Sequence, residues 1–223
     1  MRMRVAAPFE RFGEHIVIEL PGARALFTTR HGGDLARDAG VTPERLVRTR
    51  QVHGAVVRAF DAAFDPRAPL AEADGQATGA PCLALMVLVA DCLPIALAGE
   101  GAVAVLHGGW RGLAQGIIAE GVGTLRTLGA CGPLSAAIGP GIGRCCYEVG
   151  EQVHAAFAAR GHERRDGARI DLKAIARAEL LAAGVEVVHD VGLCTSCAPG
   201  APFHSYRREA GETGRQAGVV WLR

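Results

Sequence analysis

Residues 89–113 read VADCLPIALAGEGAVAVLHGGWRGL. Two apolar runs here each bring a reactive side chain to an end. One delivers Cys92, just after Asp91 and two residues before Pro94. The other delivers His107, followed by Gly108, Gly109, Trp110, Arg111 and Gly112. Continuous apolar runs suit strands covered on both faces, and strand ends beside glycine turns are where sites assemble.

Working outward, strand-like runs are predicted at His15–Leu20, Ala25–Thr29, Val52–Phe60 with a break at His53–Gly54, Leu83–Ala90, Ala102–Leu106, Leu134–Ile138, Val185–His189 and Gly218–Leu222. Helices are predicted at Leu113–Leu128, Gly150–Arg160 and Asp171–Ala183. In the last, Leu172, Ile175, Ala176, Leu180 and Ala183 share one face, Asp171 is placed to cap the start, and Gly184 to end it. Arg160–Arg169 reads as a charged surface loop. The expectation is one α/β domain over residues 1–223, with mixed sheets and helices packed outside.

Of the 223 residues, 49% are hydrophobic, enough for a sizeable core, and the formal net charge is +1. That balance argues against nucleic acid or an acidic membrane as partner. Lys173 is the only lysine, so positive charge is carried by arginine as a matter of composition, and a single arginine signals little by itself. Seven cysteines, an odd number in a chain this long, do not suggest a secreted disulfide framework. The N-terminus lacks an apolar segment of signal-peptide length, and the longest apolar stretch, Leu83–Ala98, is broken by Asp91 and Pro94. A soluble, cytoplasmic protein with reduced thiols is expected.

The chemistry-bearing residues fall beside strand ends and glycines. His53 in Gln51-Val52-His53-Gly54, Cys92 and His107 make a plausible three-ligand set for zinc, with a fourth position open. Copper suits the same soft ligands. A metal-free alternative makes Cys92 a nucleophile, with His107 or His53 as its base. The glycine-rich turn before the helix near Leu113 suits an anion, and Arg111 adds a planar fork for phosphate or carboxylate. Ala25–Gly33 repeats that pattern with Arg30 and His31. In Ile138–Val149, IGPGIGRCCYEV, Tyr147 either stacks on a ligand ring or fills core, and Cys145 and Cys146 read as buried small residues. Cys194-Thr-Ser-Cys197 is a lone CxxC, read as structural or incidental. Phe203–Arg208 and Gly214-Arg215-Gln216 cluster arginines beside the last strand.

In order along the chain, QVHG, Ala73-Asp-Gly75, ADCLP, HGGWRG, IGPGIGRCCYEVG, Cys194-Thr195, SYRR and TGRQ resemble the YfiH or laccase-domain family. That family is also described as multicopper-polyphenol-oxidase-like, and as purine nucleoside phosphorylases related to human FAMIN. The resemblance implies an α/β/β/α sandwich with mixed sheets, similar to cytotoxic-necrotizing-factor cysteine hydrolases. It implies a metal site at His53, Cys92 and His107. It further implies phosphorolysis of adenosine, inosine and methylthioadenosine to base and ribose 1-phosphate, together with adenosine deamination. Copper-dependent polyphenol oxidation and peptidoglycan-precursor editing are other activities attached to members. On this reading the partners are purine nucleosides and phosphate, and the sequence names no protein partner. Arg30, Gln51, Arg111, Tyr147 and Arg207 are the candidate substrate or phosphate contacts, and Asp91 the candidate proton shuttle. Two departures stand out. A Ser/Pro-rich segment that usually follows the TTRHGG stretch is absent after Gly33, and His204 replaces an apolar ring in FHSYRR.

Overall fold

The computed structural model describes residues 4–162 and 165–223. From the N-terminus the elements are β1 Glu10–Phe12, β2 His15–Leu20, β3 Ala23–Phe27, α1 Leu35–Asp38, β4 Leu46–Val47, β5 Val57–Phe60, β6 Gly75–Thr78, β7 Ala84–Val89, β8 Leu93–Glu100 and β9 Ala102–Gly108. Then follow α2 Trp110–Gln115, α3 Ile117–Thr127, β10 Cys131–Ile138, α4 Glu151–Ala158, β11 Arg165–Asp166, β12 Arg169–Ile170, α5 Leu172–Ala182, β13 Val185–Asp190 and β14 Gln216–Leu222.

Among the described residues, two mixed six-stranded sheets form, in the orders β1-β2-β3-β14-β7-β4 and β13-β10-β8-β9-β6-β5. They pack face to face. Ala96, Ala98, Val103, Val105 and Ala137 of the second sheet meet Ile16, Ile18, Val87 and Val220 of the first. The opposite face of the second sheet, with Leu93, Ile95, Leu97 and Leu106, is covered by α3 and α5 through Ile118, Leu125, Ile175 and Leu180. The outer face of the first sheet is covered more thinly, by Leu35, Ala39 and Val41. This is the α/β/β/α layering. It explains the unbroken apolar runs, because strands of the inner layers have no solvent face. Each buried Leu or Ile contributes roughly 1.5–3 kcal/mol.

The α5 expectation holds in detail: Asp171 accepts a hydrogen bond from the Ala174 N–H at 2.9 Å, and Gly184 follows with φ 88°. Elsewhere the structure corrects the reading. The single helix expected over Leu113–Leu128 is two, α2 and α3, because Gly116 adopts φ 93° and breaks the run. The strand expected over Val52–Phe60 begins only at Val57. Strands β6 and β8 were not expected. Gly-Gln-Ala-Thr carries little strand propensity, and Pro94 demotes the run it sits in. Pro94 is tolerated at the entry to β8, one residue beyond Ile95, the last residue paired with β10. The expected loop Arg160–Arg169 contains all but the last residue, Ile170, of a small β11–β12 hairpin, and its residues 163 and 164 lie outside the described residues. No helix of the described chain is long and apolar enough to cross a membrane.

Candidate metal centre and its pocket

The chain leaves the first sheet at the end of β7 and enters the second at the start of β8, so Ala90-Asp91-Cys92 is the crossing point. Asp91 makes the turn with φ 83°, a left-handed conformation that costs a non-glycine residue roughly 1–2 kcal/mol. Its buried carboxylate offsets that cost. Oδ1 accepts the Thr195 hydroxyl at 2.5 Å, and Oδ2 accepts the Arg207 backbone N–H at 2.7 Å. The turn is thereby fixed with Cys92 at the mouth between the sheets.

His53 sits in a second left-handed residue, φ 61°, in the loop that precedes β5. Here the fully buried Asp74, just before β6, holds the backbone. Its carboxylate accepts the N–H groups of Val52 (3.0 Å), His53 (2.9 Å) and Gly54 (2.7 Å). The same carboxylate lies 2.7 Å from Nδ1 of His107 on β9. One acidic side chain therefore positions both histidines. With Nδ1 committed to Asp74, His107 has Nε2 left for a ligand.

The ligating atoms of His53, Cys92 and His107 all lie within 4.8 Å of one another. The two imidazole rings meet edge to face at 4.8 Å between centroids. Glycine at residue 109 leaves room for the approach. A Cβ there would fall 3.2 Å from His53 Cδ2 and 3.3 Å from Cys92 Sγ. Burial disfavours the Cys92 thiolate, but hydrogen bonds from His107 and then His53 outweigh it and bring the thiol down to about 6. Burial likewise disfavours the His107 imidazolium. Hydrogen bonds to Asp74 and Cys92 outweigh that and raise it to about 9. Asp74 resists its own burial through the His107 and backbone hydrogen bonds and lies below the usual carboxylate range. Two imidazoles and a thiol with a deprotonation-ready sulfur match the donor set of an open zinc site, so the residues fit the metal.

The trio opens onto a cavity of about 660 Å³. Trp110, Arg111, Tyr147, Arg207 and Arg215 line it together with Gln51 and Asp91. Arg111 stacks on Trp110 at 4.6 Å, and Arg207 lies over Tyr147 at 5.8 Å. Arg207 also donates to the Glu148 carbonyl at 2.7 Å. Burial, then the negative charge of Cys92, push the Tyr147 phenol well above its ordinary value, so it remains a neutral donor. Gln51 reaches the cavity wall, but its amide is spent on both backbone groups of Leu88, at 2.8 Å each. It continues the ladder along β7 beyond the point where the two-residue β4 ends.

Arg30 is the sequence candidate that the fold does not bring in. Its guanidinium pairs with Glu209 at 2.8 Å, and it is not part of the cavity wall. Arg215, from the cluster before β14, stands in the wall instead. Sequence reasoning missed the roles of Asp74 and Thr195. Their only signals were the Ala-Asp-Gly and Cys-Thr pairs inside the ordered motif set.

Residues 28–223 match the family model described as multi-copper polyphenol oxidoreductase laccase. A purine nucleoside phosphorylase of Xylella fastidiosa is 36% identical, over 97% of this chain and 86% of its own length. A purine nucleoside phosphorylase of Deinococcus radiodurans is 38% identical, over 84% of this chain and 74% of its own. Among solved structures, the hypothetical protein YfiH of Bacillus licheniformis superposes with a TM-score of 0.86 at 26% identity, over 98% of this chain and all of that one. YlmD of Geobacillus stearothermophilus gives 0.85 at 29% identity, over 96% and 98%.

Proposed function

The chain belongs to the multi-copper polyphenol oxidoreductase laccase family, and from that membership we propose that it is a zinc-dependent purine nucleoside phosphorylase that also deaminates adenosine. The observation that carries this is the convergence of His53, Cys92 and His107 on a cavity walled by aromatic rings and arginines. Relatives that share more than a third of its residues bear the phosphorylase name.

His53, Cys92 and His107 would hold the zinc, with Asp74 fixing the orientation of His107 and the loop of His53. Bound there with a position open, zinc would supply Lewis acidity. The remaining tasks belong to the protein. Phosphorolysis joins a phosphate oxygen to C1′ of the ribose while the bond from C1′ to the purine nitrogen breaks. Arg111 and Arg215 hold the phosphate, because their guanidinium groups offer planar, charge-assisted hydrogen bonds. Arg111 is pre-oriented by Trp110. The Tyr147 phenol, kept protonated, donates to the base or sugar. Asp91 acts through the backbone: with both carboxylate oxygens engaged, it positions Cys92 rather than moving a proton. Deamination in the same cavity consumes one water: its oxygen bonds to C6 of adenine, the bond from C6 to the amino nitrogen breaks, and ammonia leaves with one of the water's protons while the other stays on the product base.

The test is incubation of the metal-loaded protein with adenosine, with and without phosphate. Adenine and ribose 1-phosphate should form only with phosphate, inosine without it, and both should vanish in Cys92→Ala. Intact adenosine with fully zinc-loaded protein overturns the reading.

One observation favours a second reading. Cys92, His107 and Asp74 are linked in series as nucleophile, base and orienting acid, the arrangement of a cysteine hydrolase. That reading requires activity that survives chelation and is lost on thiol alkylation. The zinc reading requires the reverse response to chelation.

A further inference from the structure

Away from the pocket trio, the fold gathers four more sulfurs that the sequence leaves as two unremarkable pairs. Cys145 and Cys146 lie in the loop between β10 and α4, and Cys194 and Cys197 in the loop after β13. Their Sγ atoms all lie within 4.8 Å of one another, and Cys145 Sγ is 3.4 Å from Cys197 Sγ. We propose that these four cysteines form a second metal centre, a closed tetrathiolate zinc site that clasps the two loops together.

Packing does not account for the cluster. Unpaired cysteine is among the most buried residue types, yet Cys145 and Cys197 are exposed and Cys146 and Cys194 half-exposed. Coordination does account for it. Zinc–sulfur bonds of about 2.3 Å in a tetrahedron put sulfurs about 3.8 Å apart, so sulfurs within 4.8 Å of one another, one pair of them at 3.4 Å, need shifts of only about 1 Å or less. An adjacent pair facing a CxxC pair supplies four ligands from two short turns, with no position left open. Such a site is structural rather than catalytic.

The surrounding backbone is shaped to the sulfurs. The Gly143 N–H donates to Cys194 Sγ at 3.2 Å, which favours a thiolate there. A Cβ at Gly143 would lie 3.2 Å from Cys145 Sγ and 3.3 Å from Cys194 Cβ, so a side chain there would crowd the sulfurs. The Gly141–Cys194 bridge and the Thr195 N–H to Gly141 carbonyl bond (3.1 Å) join the same two loops.

The consequence reaches the pocket. The first loop carries Ile142 and Tyr147 to the cavity wall. The second carries Thr195, which holds Asp91 beside Cys92. A metal that locks the loops fixes one wall of the cavity without touching substrate. Binding displaces the protons the thiols still carry and adds directly to folding stability, because the unfolded chain has no preformed site.

Cobalt reconstitution of the reduced full chain tests this. Wild type should take up two cobalt ions and show tetrahedral tetrathiolate absorption. That absorption should persist in His53→Ala, disappear in Cys197→Ser, and change to a mixed sulfur–nitrogen spectrum in Cys197→His. Zinc removal from the His53→Ala protein should lower its melting temperature. Should Cys197→Ser fail to fold, the wild-type spectrum and thiol titration decide. Zinc-loaded protein should shield these thiols from Ellman's reagent until the metal is released. Three results overturn the proposal: no tetrathiolate absorption in reduced wild type, four freely reacting thiols at unchanged zinc content, or a native Cys145–Cys197 disulfide found by mass spectrometry.

Discussion

Nδ1 of His107 lies 2.7 Å from Oδ1 of the fully buried Asp74, and that carboxylate also holds three successive N–H groups around His53. A single acid thus couples the geometry of two histidines that are far apart in sequence. Asp74→Asn keeps the shape but removes the charge and one pair of accepting lone pairs. Partners of this kind are worth roughly 10–100-fold in metal affinity. Zinc affinity measured by competition with a chromophoric chelator should fall by that order, with a lowered melting temperature. Unchanged affinity would show that His107 does not depend on Asp74.

Gly109 and Gly123 make a contrasting pair. Gly109→Ala puts a methyl group against His53 and Cys92, so turnover should drop at least tenfold, together with metal occupancy. Gly123 lies inside α3 with nothing within 4 Å of its virtual Cβ. Gly123→Ala should raise stability by about 0.5–1 kcal/mol through helix propensity, with activity intact. Urea unfolding and steady-state assays on both variants check this.

Thr195→Val removes the 2.5 Å bond that holds the strained Asp91. The cost expected from an unsatisfied buried acceptor is about 1–3 kcal/mol. Because Asp91 sets Cys92, metal occupancy should fall as well. A variant with wild-type stability and full occupancy would mean that the sheet crossing holds its own conformation.

Arg111→Ala and Arg215→Ala should separate the two proposed activities. Losing a charged hydrogen bond to phosphate costs about 1.5–3 kcal/mol, a factor of roughly ten to a hundred. The KM for phosphate should rise by that order while phosphate-independent deamination changes little. Parallel loss of both activities would assign these arginines to the nucleoside.

Glu209 supplies a pH signature. Its hydrogen bond from Thr213, then that from Arg208, and the nearby Arg30 hold it down to about 2. A carboxylate depressed in the folded state stabilises fully above its ordinary value, near 4.5, and the contribution fades as pH falls toward 2. The stability gap between wild type and Glu209→Gln should therefore be present at neutral pH and close on acidification through that window. Paired denaturation curves measure it. A gap independent of pH would place the effect in packing instead.

The sequence by itself determined that the strands are covered and which residues are candidate ligands. Apolar runs without a polar face demanded strands covered on both sides, and the α5 stripe with its Asp171 cap fixed a covering helix. His53, Cys92 and His107 were legible because each stands at a strand end or a glycine turn. Only the tertiary structure decided where the chain changes sheets, which acid serves the histidines, and which arginines reach the cavity. Asp74 looks like any loop carboxylate until β6 is seen inserted between β5 and β9. Arg30 and Arg215 are alike in residue type, but the fold pairs the first with Glu209 and places the second in the cavity wall. Two cysteine pairs, whose members Cys145 and Cys197 are 52 residues apart, become one cluster for the same reason. Local periodicity reports which face of an element is buried, whereas a site is assembled by long-range juxtaposition, which periodicity does not encode.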